Sequence, residues 1–434
     1  MNPDLQLLRD YECRNITYLA EDGSWPIVWE RAKGVHVWDT DGKKYLDLTG
    51  AFGVAATGHA NPRITKAAQQ QLEKLPHAMG DVHPHTLKGE LARELSKLTF
   101  ERWKLGRGKT IFCNSGFEAV EAALKTALLA TGKKGVIAFE GAYHGLGYGA
   151  LSTTHRRLFN KPFQNQLGKF GYFAPFPENN PELTKSKRAL EKLFKDHSIG
   201  AVLVEPIQGR AGMRVPPRGF LKLLRKLCDK HGALLIFDEI YSGFGRTGHW
   251  FACEDDSIYP NLICLGKALT NGFPLSVCVG TADIMDRAWP KSEGEAIHTS
   301  TFLGHPVGCA MALTQIREIK KRKLLIQANR IGKWFHKYTK GKFPCAKGLT
   351  IYEKCIGGMY SITVCKHKPE LDPNETTGTE FVSAVVKDML KRGYILLPAG
   401  EHGNVIMFTP PLTITEKQIE RTIKALEKSF IACA

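Results

Sequence analysis

A lysine that directly follows an apolar run can act as a nucleophile, because apolar surroundings disfavour the ammonium form and lower the amine's pKa. The segment LICLGKALTNGFP (262–274) offers such a lysine at Lys267. Twenty-nine residues earlier, ALLIFDEI (233–240) ends another apolar run in Asp238 and Glu239. A carboxylate there needs a partner, since desolvating a charge is costly. A protonated ring nitrogen would serve, and so would a basic side chain. CNSGFE (113–118) passes through Ser115 and Gly116 into a helical pattern, so the serine and the first free helix amides can cradle a phosphate. The same residues also read as an ordinary serine cap. GAYHGLGYG (141–149) sets Tyr143 and His144 on a glycine-flanked loop, suited to stacking on a planar ring or to plain aromatic packing.

These residues must be held by an ordered scaffold. From Gly108 to Gly280 short apolar runs alternate with amphipathic stretches, which predicts a mostly parallel sheet covered by helices. The expected strands are 109–114, 135–140, 201–206, 233–240, 262–266 and 276–280, with helices over 117–130 and 219–232. In such sheets ligands collect at the carboxyl ends of the strands, where all the residues above fall. GVHVWDTDGKKYLDL (34–48) reads as two strands around an Asp-Gly turn. We therefore expect an α/β protein with a large domain over 61–318. A smaller, discontinuous α+β domain is expected from 1–60 and 319–434.

The chain has 434 residues, 43% of them apolar and 24% charged, as in ordinary folded proteins. No basic start leads into a long apolar stretch, and no window approaches the ~18 apolar residues of a membrane span, so a cytoplasmic protein is expected. Eleven cysteines without a CxxC pair argue against a disulfide framework and a zinc site. The formal net charge of +17 raises the question of nucleic acid. Its densest clusters, 185–197 and 317–325, are interleaved with helix-spaced apolar residues, which favours solvated helix faces over a nucleic-acid surface.

Six segments, SGFEAVEAALKTA, AYHG, VEPIQG, DEIYSGFGRTG, LGKALTNGFP and HTSTFLGHP, stand in an order and spacing that resembles the class III (omega) aminotransferases, enzymes of fold type I that depend on pyridoxal 5′-phosphate (PLP). The resemblance runs from about Pro26 to the C-terminus. It implies that Lys267 carries the cofactor as a Schiff base and shuttles the proton, and that Asp238 keeps the pyridine nitrogen protonated. It further implies that Tyr143, beside His144, stacks on the ring and Ile240 packs its other face. Glu205 and Gln208 would orient neighbouring groups, and Ser115 and Gly116 would bind the phosphate. Thr301 matches a threonine that reaches the phosphate of a partner subunit, so a homodimer with shared sites is implied.

The chain departs from its family where substrates bind. Members acting on 4-aminobutyrate, ornithine or acetylornithine place an arginine before the phenylalanine of the C-terminal PPL motif; here NVIMFTPPL has Met407. The glutamate that follows QG in those members is Arg210, and the arginine after HG is Leu146. A methionine cannot make the charge-assisted fork of an arginine. Arg210 could supply that charge from the opposite wall, or point to solvent, or pair with Glu205. Trp25 and Phe52 match segments that line the substrate entrance, though they read equally as core aromatics. The expected activity is ping-pong transfer of an amino group from a primary amine, diamine or omega-amino acid to a keto acid such as pyruvate. The alternatives are an acetylornithine, ornithine or 4-aminobutyrate type of transaminase using 2-oxoglutarate, a PLP aminomutase or lyase, and a non-catalytic basic protein.

Overall fold

The computed structural model describes residues 2–343, 348–366 and 378–434. At its centre is a seven-stranded sheet of β1 Gly108–Cys113, β2 Gly135–Phe139, β3 Gly171–Ala174, β4 Ile199–Val204, β5 Leu234–Asp238, β6 Leu262–Leu265 and β7 Ser276–Thr281. Its spatial order is β1-β7-β6-β5-β4-β2-β3. Strand β7 runs antiparallel to both its neighbours, pairing Val277 with Phe112 and with Leu265. Every other pairing is parallel. The six expected strands stand within two residues of their predicted limits. The seventh, β3, is an edge strand of four residues, three of them half-buried, and lacks the apolar run that marks the others.

The apolar runs arise because both faces of the sheet are covered. In β5, Leu234 and Ile236 face helix Gly116–Thr131 through Ala119, Val120 and Ala123. Leu235 and Phe237 face the other side, toward Phe220, Leu224 and Leu227 of helix Phe220–His231. Each such large side chain contributes roughly 1.5–3 kcal/mol on burial. Because β7 reverses direction twice across the sheet, β1 to β6 all run the same way. Their carboxyl ends therefore lie along one edge, and that edge carries Ser115, Tyr143, Glu205, Asp238 and Lys267.

Outside this block, strands Trp29–Lys33, His36–Asp39 and Lys44–Asp47 form an antiparallel meander. The last pairs in parallel with Tyr394–Ile395, so the two ends of the chain share a sheet. A second small sheet orders Thr350–Ile356, Met359–Cys365, Val405–Phe408 and Leu397–Ala399. We keep the division at 60 and 318 as a proposal. The second boundary falls inside helix Pro306–Lys321, which runs unbroken, so no linker marks it. Residues 344–347 and 367–377 of the proposed C-terminal part lie outside the described residues. No helix among the described residues is long and apolar enough to cross a membrane.

Candidate active site

A cavity of about 980 Å³ opens at this strand edge. Lys267, Asp238, Glu205, Tyr143, His144, Ile240 and Gly116 line it on the sheet side, and Phe52, Arg210 and Met407 line it further out. The sheet-side residues come from five separate stretches of sequence, and the common direction of β1 to β6 brings them together.

Lys267 follows β6 by two residues and adopts φ +40°, a left-handed conformation that disfavours side-chain-bearing residues. Such a backbone turns the lysine out of the strand line at the edge of the sheet. Its Nζ lies 4.4 Å from the ring centroid of Tyr241. Burial pushes its pKa down, Asp238 and Glu205 oppose that shift, and Arg210 adds to it. The amine is thereby favoured in its neutral, nucleophilic form.

Asp238 ends β5 and is almost fully buried. Its Oδ2 lies 2.8 Å from His144 Nδ1, and its Oδ1 accepts from the Ile240 amide at 3.1 Å. Nε2 of His144 is buried without a partner among the described residues. Glu205 accepts from the amides of Tyr143 and Gly209, both at 3.1 Å. Burial pushes its carboxyl up to about 7, against the pull of His144. Glu239, beside Asp238, points away and accepts from the amides of Ala252 and Cys253 at 2.9 and 2.8 Å.

Ser115 stands at the N-terminus of helix Gly116–Thr131 in extended conformation but makes no side-chain cap. Its hydroxyl is buried and unpartnered, which removes the simple capping reading and leaves a donor for a bound group. Gly145, at φ +112°, lies against the first turn of that helix so closely that a Cβ would stand 2.3 Å from that of Phe117. A buried carboxylate facing a cavity, an orphaned serine hydroxyl beside free helix amides, and a desolvated lysine fit the ring nitrogen, phosphate and aldehyde of PLP respectively.

The remaining expected residues are placed differently. Gln208 does not reach the cavity; its Nε2 donates to the Glu140 carbonyl at 2.9 Å and braces the loop after β2. Trp25 packs against the core around Val37 and Tyr45 rather than lining the entrance, because its segment is bound into the N-terminal sheet. Thr301 is exposed and lies outside the cavity of its own chain. Arg210 makes no ion pair with Glu205, whose oxygens are engaged by amides.

Sequence reasoning missed three contributors. Arg156 lines the outer cavity with Phe159. Arg246 is fully buried and ties the site together, donating to the Pro410 carbonyl at 2.6 Å and to that of Gly53 at 3.2 Å. Asp47 holds the turn that presents Phe52. Its carboxylate accepts from the Thr49 amide at 2.8 Å, the Thr49 hydroxyl at 2.7 Å and the Ala51 amide at 3.1 Å. That turn runs Gly50, Ala51, Phe52, Gly53 at φ 54°, 50°, 61° and 79°. A left-handed stretch costs roughly 1–2 kcal/mol for each side-chain-bearing residue, and it leaves Phe52 57% exposed at the mouth. A buried aspartate ahead of Thr-Gly was the available signal.

Comparison with known proteins bears on this geometry. The family model described as "Aminotransferase class-III" matches residues 17–430. The 5-aminovalerate aminotransferase of Pseudomonas aeruginosa is 35% identical over 418 residues, covering 93% of each chain. The acetylornithine aminotransferase of Methanosarcina mazei is 33% identical over 407 residues, covering 94% of this chain and 92% of its own. The crystal structure of the acetylornithine aminotransferase from Elizabethkingia anophelis superposes with a TM-score of 0.79 at 28% identity. That match covers 99% of this chain and 98% of the other.

Proposed function

The chain belongs to the class III aminotransferases, PLP-dependent enzymes of fold type I, and from that premise we propose an omega-transaminase that moves an amino group from a primary amine, diamine or omega-amino acid to a keto acid. The observation that carries this reading is the meeting of Lys267 and Asp238 at adjacent strand ends in one cavity, with Met407 on the wall where members acting on 4-aminobutyrate or ornithine carry a carboxylate-binding arginine. The relatives' names support it as well. 5-Aminovalerate and acetylornithine both carry the reacting amine at the far end of a carbon chain from a carboxylate.

When bound, PLP supplies an aldehyde that condenses with amines and a ring that takes up the electron pair of the neighbouring carbon. Lys267, its pKa pushed down by burial, would hold the cofactor covalently and, once released, would serve as the acid-base group that moves the proton at the amine-bearing carbon. Asp238, oriented by His144, would hold the proton on the ring nitrogen. Ser115 and the amides of Gly116 and its neighbours would hold the phosphate, and Tyr143 and Ile240 would contact the ring. Arg210 lines the outer cavity and supplies a carboxylate-binding charge there. Pyruvate suits the site as acceptor, since it brings only one carboxylate.

The proposal extends to a homodimer. Thr299 donates to Asp81 at 2.6 Å and joins two segments on which Met79, Val82, Ile297 and Phe302 are exposed. A second copy would cover these apolar side chains and carry Thr301 toward the partner's phosphate.

A spectrophotometric screen of amine donors tests the function. Amines and omega-amino acids should convert the cofactor to its aminated form, and added pyruvate should restore it. If only alpha-amino acids do so, the donor reading is wrong; isomerisation without net transfer would indicate a mutase.

A further inference from the structure

The outer cavity carries two guanidinium groups that no carboxylate neutralises. Arg156 and Arg210 are more than fifty residues apart, yet the Cζ atom of each lies 5.6 Å from the ring centroid of Phe159. Arg210 also sits 5.4 Å from the centroid of Tyr143, which meets Phe159 edge-on at 5.5 Å and 66°. The half-buried Arg214 and Arg225 have carboxylate partners in Glu178 and Asp229, whereas Arg156 and Arg210 have none within ion-pair distance among the described residues. Burial and then Arg210 itself push the Arg156 pKa down, against the opposing charge of Glu401. An anion between the two cations would relieve that repulsion.

The backbone that carries each arginine is held in place before any ligand arrives. Arg210 is at the tip of a short hairpin closed by reciprocal Gln208 and Arg214 amide bonds, both 3.0 Å, and its carbonyl accepts from the Gly400 amide at 3.1 Å. The loop of Arg156 is fixed by Asn160, whose side chain donates to the Thr154 carbonyl at 3.0 Å, and by the His155 amide on Ala142 at 2.9 Å. Binding then has the side chains, and not the loops, left to order. Phe52, Phe117, Leu146, Ile240 and Met407 give the same cavity an apolar lining.

We propose that Arg156 and Arg210, stacked about Phe159, form a clamp for the carboxylate at the far end of the donor. The enzyme's preferred donors are then amino acids whose carboxylate is several carbons from the reacting amine, and monoamines that lack a carboxylate are poor ones. This inference rests on the transaminase reading above and narrows it. Arginine's planar fork suits a carboxylate, and two forks on one aromatic platform fix its position as well as its charge.

Two measurements on the cofactor-loaded enzyme test the clamp. Glutarate, which has no amine and cannot react, serves as the binding probe in calorimetry; 5-aminovalerate and pentylamine serve as matched donors. Arg156→Ala and Arg210→Ala should each weaken glutarate binding about tenfold or more, and should lower the ratio of kcat/KM for 5-aminovalerate over pentylamine by a similar factor. Arg156→Lys, which keeps the charge without the fork and guards against misfolding of the alanine variant, should give an intermediate loss. Absence of glutarate binding to the wild type, unchanged binding in Arg156→Ala, or an equal loss for both donors overturns the clamp. A wild type that converts neither donor while still losing glutarate binding in both variants would refute the donor reading and leave the anion clamp standing.

Discussion

The floor and the mouth of the cavity are built on opposite principles. On the floor, ionisable groups are buried at strand ends and held by named partners: Asp238 by His144 and the Ile240 amide, Glu205 by two amides. At the mouth, Phe52 and Arg210 are exposed and Arg156 is partly so, and the two arginines lack acidic partners. On the proposed reading a floor group would fix a proton or a charge on the cofactor, so its loss should alter the chemistry whatever the substrate. A mouth group would touch only the substrate, so its loss should alter which molecule is used. The contrast separates a family reaction from an individual specificity.

The comparison breaks most sharply at Lys267. Lys267→Ala should lower turnover by about a thousandfold or more for every donor, since acid-base catalysis alone supplies roughly 10²–10⁴-fold and the covalent anchor is lost with it. Asp238→Asn comes next. With the ring nitrogen deprived of its carboxylate, kcat should fall roughly a hundredfold, equally for all donors, in steady-state assays. A selective loss for one donor would move Asp238 out of the floor. At the mouth, Phe52→Gly should cut kcat/KM for extended donors by about fivefold while leaving the cofactor absorbance and Tm undiminished, because glycine adopts the left-handed turn without strain. A falling Tm would show that Phe52 packs structurally.

The smallest effect is a pH dependence of stability. Glu205 has an ordinary carboxyl pKa near 4.5 when unfolded and about 7 when folded. The folded protein holds this proton over that interval while the unfolded chain releases it, so stability falls as pH rises from about 4.5 to 7. In thermal melts, Glu205→Gln should therefore gain on the wild type across that window and keep the gain above it. Parallel curves would show that the carboxyl is ionised in its site.

The floor was legible in the sequence because burial leaves a pattern. A carboxylate closing ALLIFDEI and a lysine closing LICLG are anomalies in apolar runs, and parallel strands bring such ends together. The edge strand Gly171–Ala174 escaped notice because one exposed edge weakens the apolar signal. The mouth was only partly legible. Arg210 stood out by charge, but nothing in THRRLF distinguishes Arg156 from a surface arginine until Phe159 is seen to carry both. Trp25 was open between an entrance residue and a core aromatic, and it packs against the core around Val37 and Tyr45. Arg246 and the left-handed turn at Phe52 depend on contacts across 164 and 193 residues and on backbone angles, neither of which a residue pattern encodes.

The most direct test is where the cofactor is attached. Borohydride reduction of the purified enzyme, followed by proteolysis and mass spectrometry, should place the pyridoxyl mass on the peptide containing Lys267 and nowhere else, with no such label in Lys267→Ala. A label on another lysine, or none on a protein that still transaminates, would contradict the account.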